Sequence, residues 1–310
     1  MKDIQQLFQE FIWECEFSQK LKPKTVKCYQ NVFFLFNKHT TDPHLSDIST
    51  ATVTRFFKIL DQRKRVVGKG MIKLGIKKST VASYWSKLNS FFGWLERHNH
   101  IAANPFRQMK YPTPNYDDKQ FLKRGEIEKI FTAIYIHHGN NLLILKRNIA
   151  LFNILLFCGL RKAELLSLQI RDLDIDRKLL TIRSETSKSG TIRRIPLTSQ
   201  VITVLKDYLA QRKKYTTQYL FVSRIQDREF SVDGLNHLVV KLNRVSNVRF
   251  HLHQFRHTFA INFLKQSNNV FKLKELLGHK DISMTAVYLR CLPVDELRGE
   301  MEKMSIDVLI

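Results

Sequence analysis

Three of the chain's seven prolines fall between positions 105 and 114, in Asn104-Pro105 and in Tyr111-Pro112-Thr113-Pro114-Asn115. Proline fixes φ, removes a backbone donor and pushes the preceding residue toward extended geometry, so no helix runs through such a stretch. The chain is therefore read as two folded blocks, residues 1–110 and 121–292, joined by a linker over 111–120 and followed by a tail at 293–310. A long loop inside one domain is the competing reading. With 310 residues, there is material for one large or two modest hydrophobic cores.

Helical periodicity fills the first block. Phe8, Phe11, Ile12 and Cys15 recur at helical spacing, and Thr25 is placed to cap a helix carrying Val26, Tyr29, Val32, Phe33 and Leu35. Val53, Phe56, Phe57 and Leu60 form a third apolar set. A basic, glycine-containing stretch, Arg63 to Gly75, follows it. Ser79 or Thr80 then opens a helix with Val81, Tyr84, Trp85, Leu88, Phe91, Phe92 and Leu95. Four such helices can bury a core of their own. In the second block, Lys123 to Tyr135 and Leu142 to Phe157 are helical in pattern. The period then changes: Leu180-Thr181-Ile182 and Ile192 to Ile195 read as short strands around the polar segment Ser184 to Thr191. A helix from about Ser199 to Arg212 comes next, and helical signals dominate from Gly234 onward. The fold class expected is mainly α with a small β-sheet.

Charge narrows the partner. The chain carries 51 Lys and Arg against 28 Asp and Glu, a formal net charge of +23. The first 110 residues hold 19 basic and 8 acidic residues, a net +11, so both blocks share the excess. Such a field concentrates polyanions, which points to nucleic acid. Cys15, Cys28, Cys158 and Cys291 are scattered without a CxxC pair, which argues against structural zinc and a disulfide framework and fits a reducing cytoplasm. The N-terminal MKDIQQLFQEF lacks a signal-peptide core, and no uncharged apolar run approaches the roughly 20 residues that span a bilayer. No membrane association is expected.

Five segments of the second block carry groups suited to phosphate chemistry. In Gly159-Leu160-Arg161-Lys162-Ala163-Glu164-Leu165, glycine permits a tight helix exit and Arg161 offers a planar fork to two phosphate oxygens. Lys188, in Ser187-Lys188-Ser189-Gly190-Thr191 between the two strands, can bring an ammonium to a leaving oxygen as a general acid. In His253-Gln254-Phe255-Arg256-His257-Thr258, His253 and Arg256 at i and i+3 share a helix side and can stabilise extra negative charge on a phosphate. His257 there orients its neighbours. The cluster lacks a matched carboxylate or cysteine for a metal. Leu273, Leu276 and Leu277 form an apolar face that Gly278 terminates, presenting His279 from a turn. Ile282 to Tyr288 is a short helix that ends in a tyrosine.

The ordered set Arg161, Lys188, His253-x-x-Arg256, Gly278-His279 and Tyr288, in the phrases GLRKAELL, SKSGTIRRIPL, HQFRHTFA and LLGHKDISMTAVY, resembles the tyrosine recombinase, or phage integrase, family over roughly residues 120–290. The first block resembles that family's core-binding domain more loosely. The resemblance implies an N-terminal four-helix core-binding (SAM-like) domain and an α+β catalytic domain clamped on double-stranded DNA. It assigns Arg161, Arg256, His253 and His279 to activating the scissile phosphate, Lys188 to protonating the departing 5′ oxygen, and Tyr288 to nucleophilic attack. A covalent 3′-phosphotyrosyl intermediate and a Holliday junction follow, with no metal and no cofactor. A dimer on each site, a tetramer at synapsis, a cytoplasmic location on DNA, and docking of the tail on a neighbouring protomer are further implications. The chain looks like simple Xer-like or mobile-element recombinases without an arm-binding domain. A type IB topoisomerase and a DNA-binding regulator with dispensable chemistry are the alternatives.

Overall fold

The computed structural model describes residues 3–40, 45, 48–67, 70–112, 121–187 and 190–291. Backbone contacts divide the chain into two compact units, Met1–Asn115 and Tyr116–Ile310. Residues 113–120 of the expected linker, Lys188, and the expected tail lie outside the described residues.

The first unit contains α1 (Ile4–Trp13), a π-helical turn (Glu14–Ser18), α2 (Pro23–Thr40), α3 (Thr50–Gln62), strands β1 (Lys64–Val67) and β2 (Met71–Leu74), and α4 (Lys78–Arg97). Its core is aromatic. Phe8 stacks on Phe33 with ring centroids 3.8 Å apart and meets Phe91 edge-on at 5.1 Å, while Phe36 sits edge-on to Phe56 at 5.2 Å and Phe92 at 5.7 Å. Such pairs add about 0.5–1.5 kcal/mol each beyond the area they bury. Two helix starts fall earlier than the capping residues suggested. α2 opens at Pro23 rather than after Thr25, because proline's missing N–H costs nothing in a first turn. α4 opens at Lys78, where Lys77, Lys78 and Ser79 are exposed, so the first N–H groups can face water, and the Thr80 N–H donates to the Lys77 carbonyl at 2.8 Å. The stretch Arg63 to Gly75, read only as basic and glycine-containing, is an antiparallel hairpin pairing Lys64 with Leu74 and Val66 with Ile72.

The second unit is built around α6 (Leu142–Cys158), which is buried along most of its length. Asn141 caps its start by accepting from the Ile144 N–H at 3.1 Å. α5 (Arg124–His138), α8 (Ser199–Gln211) and α10 (Leu252–Ser267) pack on it, and α9 (Val232–Ser246) packs on α5. A three-stranded antiparallel sheet in the order β3 (Leu173–Asp174), β4 (Leu179–Ile182), β5 (Arg193–Pro196) lies between α7 (Lys162–Leu166) and α8 in the chain. It aligns Leu180 with Ile195 and Ile182 with Arg193. Its first strand is too short to show an alternation, which is why two strands were expected. Leu180, Ile182 and Ile195 enter the large core with Phe152, Leu155 and Phe255. A smaller core joins α10 to α11 (Val270–Leu277) through Phe259, Ala260, Ile261, Leu264, Leu273 and Leu277, and Tyr288, just beyond α12 (Ser283–Ala286), belongs to it. Mainly α with a small sheet is thus the observed class. Among the described residues, no helix is long and apolar enough to cross a membrane.

Candidate active site

Two helix ends frame the site. α6 stops at Gly159, which adopts the left-handed φ of 60°, and a Cβ there would lie 2.4 Å from the ring of Phe259. α11 stops at Gly278, with φ 62°, where a Cβ would meet the guanidinium of Arg193 at 3.0 Å. Carbonyls in the last turn of a helix have no partner within it and form the negative end of its dipole. Here they receive arginines. Arg256 donates from Nη1 to the Gly159 oxygen and from Nη2 to the Leu277 oxygen, each at 2.7 Å. Arg193 donates from Nε to the Leu276 oxygen at 2.9 Å, and Arg161 reaches the Gly278 oxygen at 3.4 Å.

A carboxylate locks two of these cations together. Arg161 stands at the N-cap of α7, and Glu164 accepts from its backbone N–H at 2.9 Å and from its Nη1 at 2.8 Å. Arg193, arriving from β5, donates to both Glu164 oxygens, at 2.7 Å and 3.2 Å. Glu164 is only 1% exposed. Burial would raise its pKa, but the hydrogen bonds and charge of Arg193, joined by the hydrogen bonds of Arg161, hold it below the ordinary carboxylate range. The guanidinium of Arg256, 1% exposed, is pushed down to about 9, by burial first and by the neighbouring Arg161 charge second.

His279 follows Gly278 and touches both sides of the cluster. Its Nε2 lies 2.9 Å from Arg256 Nη2 and its Nδ1 lies 2.8 Å from Thr285 Oγ1. A guanidinium only donates, so Nε2 accepts and the ring proton sits on Nδ1, shared with the buried threonine. Tyr288 comes two residues after α12, its N–H donating to the Thr285 carbonyl at 2.9 Å. The side chain is 2% exposed, and its hydroxyl lies 3.0 Å from Nδ1 of His257. Burial raises the Tyr288 pKa above the ordinary phenol value, although the charges of Arg256 and Arg161 pull the other way. At neutral pH the hydroxyl therefore keeps its proton.

Of the six residues singled out from sequence, Arg161, Arg256, His279 and Tyr288 converge here. His253 is exposed at the start of α10, its ring 4.4 Å from that of His257. Lys188 lies outside the described residues, between β4 and β5. Glu164, Arg193 and Thr285 were not singled out. The spacing of Arg161 and Glu164 at i and i+3 across a helix start was a signal for the first. Neither of the others carries a local one. Among the described residues, no group of three or more His, Cys, Asp or Glu side chains is placed to hold a metal ion.

The family model for the phage integrase family matches residues 120–293. A tyrosine recombinase of Pseudothermotoga lettingae is 28% identical over 294 residues, covering 93% of this chain and 94% of that protein. A tyrosine recombinase XerC of Oceanobacillus iheyensis is 25% identical, with 93% and 92% covered. In fold, the chain is similar to the Tn1549 transposon integrase in complex with a circular intermediate DNA, with a TM-score of 0.77, 18% identity, and 98% of this chain and 100% of that one covered. It is also similar to the XerH site-specific recombinase bound to its difH substrate, with a TM-score of 0.69, 18% identity, and 93% and 81% covered. The chain belongs to the phage integrase family and is an enzyme of the tyrosine recombinase type.

Proposed function

We propose that the chain is a site-specific DNA recombinase in which Tyr288 attacks a scissile phosphate held by Arg161, Arg256, His253 and His279. The observation that carries this reading is that Arg161 and Arg256 sit on the carbonyl ends of α6 and α11, where Arg256 also meets His279 and lies beside Tyr288. A phosphate entering there meets donors already fixed in place, which is the condition for stabilising transition-state charge without reorganisation. The Tyr288 oxygen forms a bond to phosphorus and the bond to the 5′ oxygen breaks, leaving a 3′-phosphotyrosyl link. Lys188 supplies the proton to the departing oxygen. A 5′ hydroxyl of a partner duplex then attacks the link, frees Tyr288 and passes through a Holliday junction to the recombinant. The covalent link conserves the phosphodiester energy, so the reaction needs no ATP, and the cationic side chains supply the charge stabilisation that a metal gives elsewhere, so it needs no metal.

The first unit serves as the core-binding, SAM-like domain over residues 1–110, with 111–120 as linker, 121–292 as catalytic domain and 293–310 as a tail docking on a neighbouring protomer. Its excess of basic residues suits contacts to the DNA backbone, which give affinity that falls steeply with salt. Two protomers bind one site and four assemble at synapsis. A relative, the lambda integrase, has been seen as a dimer bound to a core site, which supports the first number. The protein works in the cytoplasm, on DNA.

The test is a nicked suicide duplex drawn from the DNA flanking the chain's own gene, in which cleavage is mapped and covalent protein–DNA product is counted. Tyr288→Phe is expected to bind the duplex as the wild type does and to yield no covalent product. Covalent product from that variant refutes Tyr288 as nucleophile. Two marked sites in one reaction distinguish exchange of strands from relaxation alone, and relaxation alone makes the enzyme a topoisomerase.

A further inference from the structure

The raised pKa of Tyr288 leaves the mechanism short of one partner, since attack on phosphorus requires the phenolic proton to go somewhere. Arg161 and Arg256 cannot accept it, because guanidinium groups only donate. His279 has its Nε2 against Arg256 and its Nδ1 against Thr285. His253, the imidazole of the His-x-x-Arg motif, is exposed at the start of α10. His257 lies one turn further along α10, is itself buried, and brings Nδ1 within 3.0 Å of the Tyr288 oxygen.

We infer that His257 is a further catalytic residue: it takes the proton of Tyr288 as the tyrosine oxygen attacks the scissile phosphate. The inference rests on the proposed recombinase reading. With the ring proton on Nε2, the hydroxyl donates to Nδ1. As the Tyr288 oxygen bonds to phosphorus and the P–O5′ bond breaks, the proton passes to Nδ1 and gives an imidazolium. Lys188 protonates the 5′ oxygen. In the second half-reaction the incoming 5′ hydroxyl yields its proton to Lys188, and the imidazolium returns the first proton to Tyr288, so protons and charge balance over the cycle. Among the described residues, the charged and titratable groups around the pair include Arg256 and His253 on α10, Arg161 before α7, His279 after α11, and Cys291 beyond Tyr288. The two arginines oppose an imidazolium here, and the negative phosphate that they bind offsets them.

The experiment uses the suicide duplex with a 5′-bridging sulfur at the mapped cleavage position, so that leaving-group protonation no longer limits the rate. Single-turnover formation of the covalent complex is followed from pH 6 to 9.5. His257→Asn keeps a polar group at the position of Nδ1 but cannot hold a proton there, and His257→Gln is the second variant. Each is expected to bind the duplex and to cleave about 100-fold or more slowly at pH 7, within the range typical of lost general-base catalysis. The deficit should shrink as the pH rises and free phenolate forms. Cleavage at or above the wild-type rate overturns the inference and makes the contact a restraint on Tyr288. A deficit that is the same at every pH overturns it too, as a purely structural effect. If neither variant binds DNA, 3-fluorotyrosine at position 288 of the otherwise unaltered protein decides. An imidazole acceptor leaves the midpoint of the pH–rate curve in place, whereas unaided ionisation of the phenol moves it with the more acidic ring and overturns the inference. Absence of cleavage by the wild type would instead refute the recombinase reading itself.

Discussion

Replacing Gly159 with alanine tests whether the end of α6 is fixed by the requirement for a left-handed residue. At φ 60°, a side chain brings Cβ toward the following carbonyl, at a cost of about 1–2 kcal/mol. The added methyl would also lie 2.4 Å from Cδ1 and 3.0 Å from Cε1 of Phe259, a ring in the small core beside Tyr288. Forcing a methyl into a packed core costs roughly 1–3 kcal/mol. Gly159→Ala should therefore destabilise the second unit by about 2–5 kcal/mol. The assay exploits an accident of composition: all three tryptophans, Trp13, Trp85 and Trp94, lie in the first unit. In a urea titration, tryptophan fluorescence follows the first unit and far-ultraviolet circular dichroism follows both. The dichroism transition assigned to the second unit should move to lower urea. A shift below about 0.5 kcal/mol, the range of neutral surface changes, would refute the steric argument. Because the Gly159 carbonyl receives Arg256, covalent cleavage should fall as well, even where the protein remains folded.

Glu164→Gln should remove about 3 kcal/mol at pH 7, since it leaves the buried Arg193 without its counter-charge. The Glu164 carboxyl is held below its ordinary range when folded, so its contribution is present above the unfolded value and is lost as pH falls through the folded one. The gap between wild type and variant in urea titrations should accordingly be full at pH 7 and close below about pH 4; a gap independent of pH would contradict the ion-pair account. Lys188→Ala should slow cleavage of an ordinary 5′-oxygen substrate by about 100-fold and recover most of that rate with a 5′-sulfur leaving group, measured as covalent complex per unit time. Equal losses on both substrates would remove Lys188 from the general-acid role.

The parts of the fold that were legible in the sequence are those in which one residue type has one local use. Gly278 marks the end of an apolar helical face because few other residues turn left-handed there, and the structure places the turn at that position. The helix of Leu142 to Phe157 follows from its apolar pattern, interrupted only by Lys146 to Asn148 and by Asn153. The hairpin at 64–74 was not legible: its second strand exposes both faces, so no alternation separates it from a basic loop. Within the site, the sequence displayed the groups proposed to meet the phosphate but not those that hold them. Arg193 reads as one arginine among many, and only the register of β4 and β5 carries it to Glu164 and to the end of α11. The short distance between Tyr288 and His257, which are 31 residues apart, is set by the packing of α10 against the segment that follows α11.

The arginines held on the ends of α6 and α11 bear on how such a chain can change its length. Each carbonyl that seats a guanidinium is positioned by the phase of its helix, where one residue adds about 1.5 Å of rise and about 100° of rotation. A single insertion or deletion within α11 would swing the Leu276 and Leu277 oxygens away from Arg193 and Arg256 together, although much of that helix faces solvent. Loops elsewhere can lengthen at little cost. Here the count of residues is itself a constraint, and lengthening of the chain is expected to spare the stretch from Val270 to Gly278 even where its exposed side chains vary freely.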